Sequence, residues 1–110
     1  TFAVLKRQIN HSISEIRKMD NIIIAYEPRW SIGSGKIPKV SEIYQIFSFI
    51  KKVLKSRTTM KKSNLVLYGG SINAKNINTF SNIPDVDGFL IGGSSQSSKK
   101  FIDIIKNYYK

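Results

Sequence analysis

Residues 22–36 read Ile22-Ile23-Ile24-Ala25-Tyr26-Glu27-Pro28-Arg29-Trp30-Ser31-Ile32-Gly33-Ser34-Gly35-Lys36. Residues 21–26, apolar without a break from Ile22, have the pattern of a strand with both faces covered, as in parallel sheets. It delivers one carboxylate, Glu27, to the strand's end. Proline and tryptophan stiffen the start of the loop that follows, and Gly33 and Gly35 loosen its far end. A carboxylate beside a loop that can close is the arrangement of a general base under a lid. Partial burial would suit Glu27 to that role. The structural alternative is an ion pair with Arg29 or a lysine.

Outward from this stretch the pattern alternates. Before it, Phe2, Leu5, Ile9, Ile13 and Ile16 recur three or four apart, which predicts an amphipathic helix over residues 2–18. After the loop, Ser41 is a candidate N-cap for a helix to about Lys55, with Ile43, Ile46, Phe47, Ile50, Val53 and Leu54 inward. Residues 56–63 read as a polar link. Leu65 to Tyr68 is a second buried strand, ending in Gly69-Gly70-Ser71. Asn73 is a candidate cap for a short helix reaching about Phe80. A third strand over 86–91 ends in Gly92-Gly93. Ser97 or Ser98 caps a last helix with Phe101, Ile102 and Ile105 on one face.

The order α-βα-βα-βα implies parallel strands joined by right-handed helical crossovers. Parallel strands end at one rim. Glu27, Gly69-Gly70-Ser71 and Gly92-Gly93 therefore share one side, where α/β folds place their sites. Glycine pairs before helices expose backbone N–H groups that hold phosphate, and Ser71 adds a hydroxyl donor. The bland reading of the same glycines is tight turns. Gly33-Ser34-Gly35-Lys36 is not a P-loop. Trp30 occupies the position of its first glycine, and Ile37 stands where serine or threonine is required.

Composition narrows the classes. At 110 residues with 41% apolar side chains, the chain suits one globular unit. No apolar run approaches the roughly 18 residues of a membrane span. There is no cysteine and a single histidine, His11, so no disulfide, thiolate metal site or zinc centre is expected. The absence of cysteine suits a reducing cytoplasm. Net charge is +11, from 18 basic and 7 acidic residues, which favours anionic partners. The lysines are dispersed. Their densest run, Lys51 to Lys62, reads as a solvated basic face rather than a specific nucleic-acid site.

Three motifs in this order and spacing resemble one family. They are Ala25-Tyr26-Glu27-Pro28-x-Trp30-x-Ile32-Gly33-x-Gly35-Lys36, then Tyr68-Gly69-Gly70-Ser71, then Asp85-Val86-Asp87-Gly88-Phe89-Leu90-Ile91-Gly92-Gly93. Together they resemble the C-terminal part of the triosephosphate isomerases, (β/α)8-barrel enzymes that are themselves a standing example of a glutamate base under a closing loop. The resemblance implies that residues 1–110 are the C-terminal segment of a single TIM-barrel domain, incomplete on its own.

It further implies that Glu27 is the catalytic base interconverting dihydroxyacetone phosphate and glyceraldehyde 3-phosphate. Pro28, Arg29, Trp30, Ser31, Ile32, Ser34, Gly35 and Lys36 would form the lid. Gly33, Ser71, Gly92 and Gly93 would grip the phosphate through backbone N–H groups, and Tyr68 would fasten the lid. No cofactor or metal is implied. The implied partners are the triose phosphate, the N-terminal half of the barrel and, in the complete protein, a second copy. The implied location is the cytoplasm.

This chain departs from the family at Arg29, where a small apolar residue is usual, and at Ser94 and Gln96, where alanine and leucine are usual. Ile37-Pro38-Lys39 alters the lid's far hinge, where proline fixes φ. The family's electrophilic histidine, substrate-binding lysine and nearby asparagine belong to earlier strands, and His11 is not positioned to replace the histidine. A complete barrel takes about 250 residues. The alternative function is a non-catalytic remnant that binds phosphate or polyanions.

Overall fold

The computed structural model describes residues 2–14, 22–29, 38–57 and 64–110. Within them the order is α1 (Phe2–Ile13), β1 (Ile23–Tyr26), α2 (Val40–Ser56), β2 (Leu65–Gly70), α3 (Ile77–Ser81), β3 (Gly88–Ile91) and α4 (Ser98–Tyr108), with a 3-10 turn at Gly93–Gln96. The strands form one parallel sheet in the order β1-β2-β3. Tyr26 pairs with Tyr68, and Gly69 and Gly70 pair with Leu90 and Ile91. Among the described residues the sheet is open at both edges. It is an α/β fold of three parallel βα units preceded by a helix, the arrangement expected of part of a (β/α)8 barrel.

The strands place alternate residues on opposite faces. One face carries Ile24, Tyr26, Val66, Tyr68, Phe89 and Ile91 toward the helices. Here lies the core: Phe47 and Ile43 of α2, Val66 and Tyr68 of β2 and Phe80 of α3 are all 0% exposed. Ile9 and Ile13 of α1 and Ile104 of α4 complete it at the flanks. Aromatic rings tie the layers together. Phe47 meets Tyr26 edge-on at 6.1 Å, and Tyr68 stacks on Phe80 at 4.8 Å. Each such fully buried side chain contributes about 1.5–3 kcal/mol.

The other face is uncovered. Ile23 is 58% exposed, Leu65 50% and Leu90 40%. The expectation that β1 is covered on both faces is therefore corrected. Its apolar run is suited to burial on both sides, but the described residues cover only the helix side. A groove of about 360 Å³, lined by Leu5, Gln8, Ile9 and Ser12, also lies between α1 and β1 and reaches Glu27.

Local details differ from the sequence reading in three places. Helix α2 begins at Val40, so Ser41 lies inside its first turn. Lys39 occupies the cap position in an extended conformation without a side-chain bond, and Ile43 N–H reaches the Lys39 carbonyl at 3.1 Å. On α4, Ile104 is the buried residue at 4%, while Phe101, Ile102 and Ile105 are 36–47% exposed. The apolar stripe on that helix is wider than the part of it this chain covers.

Strand β3 starts at Gly88, and Asp87 just before it holds β2 through both its backbone and its side chain. The Asp87 backbone N–H donates to the Val66 carbonyl at 3.0 Å, and its carboxylate accepts from Val66 N–H at 2.8 Å and pairs with Lys51 at 2.7 Å. Just before it, Asp85 takes a φ of 72°, a left-handed turn conformation that aspartate tolerates, and accepts from the Ser48 hydroxyl at 3.1 Å. The expected helix over residues 15–18, Ile16 included, lies outside the described residues, as does most of the link over 56–63.

Candidate active site at the strand ends

Parallel register brings the ends of β1, β2 and β3 to one rim. Glu27 follows β1 directly and falls on the uncovered face. Its side chain lies across Gly69. A Cβ at position 69 would sit 2.8 Å from Glu27 Cγ and 3.1 Å from Oε1. The first glycine of the pair is therefore part of strand β2, and its missing side chain is the bed on which the carboxylate rests. Glu27 is exposed, so the partial burial that would suit a general base is not found among the described residues.

The next two residues begin the segment that the family resemblance reads as a lid. Pro28 is buried and Arg29 is exposed. Trp30, Ser31, Ile32, Gly33, Ser34, Gly35 and Lys36 lie outside the described residues. At the far end of that segment Pro38 is again buried. Pro28 and Pro38, on either side of that segment, are thus packed into the body.

Tyr68 projects to the opposite side from Glu27 and is completely buried. Its ring lies between Phe80 and Phe47. Its neighbour across the register is Tyr26. Burial, and after it the charges on Tyr68 and Glu42, push the Tyr26 hydroxyl above the usual tyrosine range. It is therefore a neutral hydroxyl at physiological pH.

Beyond β2 the chain turns through Ser71 and a pair of asparagines. The Asn73 carboxamide oxygen accepts from the N–H groups of Lys75 and Asn76, at 2.8 and 2.9 Å. Asn76 returns the bond to the Asn73 N–H at 2.8 Å and donates its own amide to the Ser71 carbonyl at 2.8 Å. This is a reciprocal cap of the kind usually made by serine and glutamate. Asn73 acts as expected, but it caps the turn that leads into α3. Asn76, 9% exposed, holds the Ser71 loop from behind.

Beyond β3, Gly92 and Gly93 face open space: a Cβ at either position would meet nothing within 4 Å. The Gly92 carbonyl accepts from the Ser95 N–H at 2.9 Å and from its hydroxyl at 2.5 Å. The Ser94 hydroxyl crosses to the Ile72 carbonyl at 3.0 Å. Ser97, not Ser98, caps α4 by accepting from Lys100 N–H at 3.3 Å. His11 is exposed on α1.

A carboxylate on the open face and two small-residue loops at the same rim form an arrangement suited to proton transfer on an anionic substrate. The family model for triosephosphate isomerase matches residues 1–108. The chain belongs to the triosephosphate isomerase family. The triosephosphate isomerase of Chlamydia abortus is 36% identical over 112 aligned residues, covering 100% of this chain and 44% of that protein. Those of Yarrowia lipolytica and Saccharomyces cerevisiae are each 39% identical, covering 97% of this chain and 43% and 44% of themselves. The chain thus spans less than half the length of the curated relatives it matches. No helix among the described residues is long and apolar enough to cross a membrane.

Within this triosephosphate isomerase fold the sequence reading missed three supporting residues. Gly69, read as part of a phosphate nest, also makes room for the Glu27 side chain. Asn76 carried one signal, the Asn73-x-x-Asn76 spacing of a reciprocal cap. Ser94 carried none, since its partner is 22 residues away.

Proposed function

We propose that this chain is the C-terminal segment, residues 1–110, of a single triosephosphate isomerase barrel, with Glu27 as its catalytic base. The observation that carries this reading is the placement of Glu27 over Gly69 on the uncovered face, level with the Ser71 and Gly92-Gly93 loops. From there a carboxylate takes a proton from one of two adjacent carbons and returns it to the other through an enediolate. Dihydroxyacetone phosphate and glyceraldehyde 3-phosphate interconvert with no cofactor.

In this reading the backbone N–H groups of Gly33, Ser71, Gly92 and Gly93 hold the phosphate dianion without a full positive charge beside it. Pro28 to Lys36 closes over the intermediate, excludes water and limits phosphate loss, and Tyr68 fastens the lid from below. The groups that polarise the substrate carbonyl come from the N-terminal half of the barrel, and the complete protein is a cytoplasmic homodimer.

The test is to co-express residues 1–110 with the N-terminal half of the Saccharomyces cerevisiae relative and assay isomerisation. Activity is expected in the pair and in neither half alone. Glu27→Gln should lower kcat about 10²- to 10⁴-fold, the range of a positioned general base, without shifting the unfolding midpoint. A folded, co-purifying pair with no activity would favour the anion-binding remnant. Full activity in the Glu27→Gln pair would remove Glu27 from the role of base.

A further inference from the structure

The two loops proposed to grip phosphate are braced separately. Asn76 holds the Ser71 carbonyl, and Ser95 holds the Gly92 carbonyl with two bonds. A trans peptide points its N–H opposite to the carbonyl of the same plane. Securing the Gly92 carbonyl toward the 3-10 turn therefore aims the Gly93 N–H away from that turn. Sheet pairing of Gly70 with Ile91 brings the two loops side by side. Beyond these last paired residues the Ser94 hydroxyl ties them further, by donating to the Ile72 carbonyl at 3.0 Å in a half-buried setting. Ile72 itself is 5% exposed and anchored in the core, so the bond ties the β3 loop to a fixed point. Alanine at this position has no hydroxyl with which to make it.

We propose that Ser94 is a positioning residue that locks the Ser71 loop and the Gly92-Gly93 loop at one spacing, so that their N–H groups are preset for a phosphate dianion. The inference rests on the proposed function for the identity of the substrate. Presetting matters because donors on two independent loops must otherwise be ordered when the ligand arrives, at a cost to affinity. Ser94 does not touch the reacting carbons, so its effect falls on binding and not on proton transfer.

The experiment uses the reconstituted pair and two readouts, inorganic phosphate binding by calorimetry and steady-state kinetics with glyceraldehyde 3-phosphate. Ser94→Ala is expected to weaken phosphate binding and raise KM by about two- to tenfold, the worth of one half-buried hydrogen bond, with kcat nearly unchanged. Ser94→Thr, which keeps the hydroxyl, should restore both. Unchanged phosphate affinity and KM in Ser94→Ala would overturn the inference, as would equal losses in the alanine and threonine variants. A native pair that binds no phosphate would overturn it too. A native pair that binds phosphate in a Ser94-dependent way but isomerises nothing would sustain the lock and defeat the isomerase reading instead.

Discussion

On β2, Val66 and Tyr68 are 0% exposed, while Leu65, one residue away, is 50% exposed. The same contrast runs across the sheet. Tyr26 meets Phe47, and Phe89 meets Tyr108, on the helix side. Ile23 and Leu90 stand open on the other. An ordinary solvent face would carry polar residues at these positions. Among the described residues this one carries isoleucine and leucine, with the Glu27 carboxylate at its rim. The helix side is a finished core that holds the fold. The open side is a wall suited to burial, and it is the side that bears Glu27.

The difference can be broken from either side. The largest effect belongs to the closed face. Phe80→Ala removes the ring on which Tyr68 stacks and should cost about 3–5 kcal/mol in denaturant unfolding of the reconstituted pair. A loss under about 1 kcal/mol would mean that the helix side is not what holds the fold. A smaller effect, in activity and not stability, belongs to the open face. Gly69→Ala puts a methyl 2.8 Å from Glu27 Cγ and forces the carboxylate aside. A displacement of this size should lower kcat roughly ten- to a hundredfold, with the unfolding midpoint little changed. An unchanged kcat would separate Gly69 from the placing of Glu27.

The architecture was legible in the sequence because apolar runs alternate with helical periodicity and each run ends in glycine, proline or a lone charge. Parallel pairing then put Glu27 and the two small-residue loops at one rim. What could not be read was which side of an apolar run this chain covers. The run at Ile22 to Ala25 and the stripe at Phe101, Ile102 and Ile105 both suit burial, and neither says whether the cover is part of the same polypeptide. Ser41 looked like a cap because serine is a common one, yet Lys39 holds that position through its backbone alone. The roles of Gly69, Asn76 and Ser94 depend on contacts between separate loops and strands, which composition and periodicity do not encode.

The most direct test of the two-faced sheet is thiol labelling. The chain has no cysteine, so Leu65→Cys introduces a unique reporter on the open face. In the isolated chain that thiol should react with a water-soluble maleimide as an exposed group does. On addition of the N-terminal half it should become protected, since the proposed assembly makes the open face the inner wall of a barrel. Equal labelling rates with and without a co-purifying N-terminal half would contradict this account.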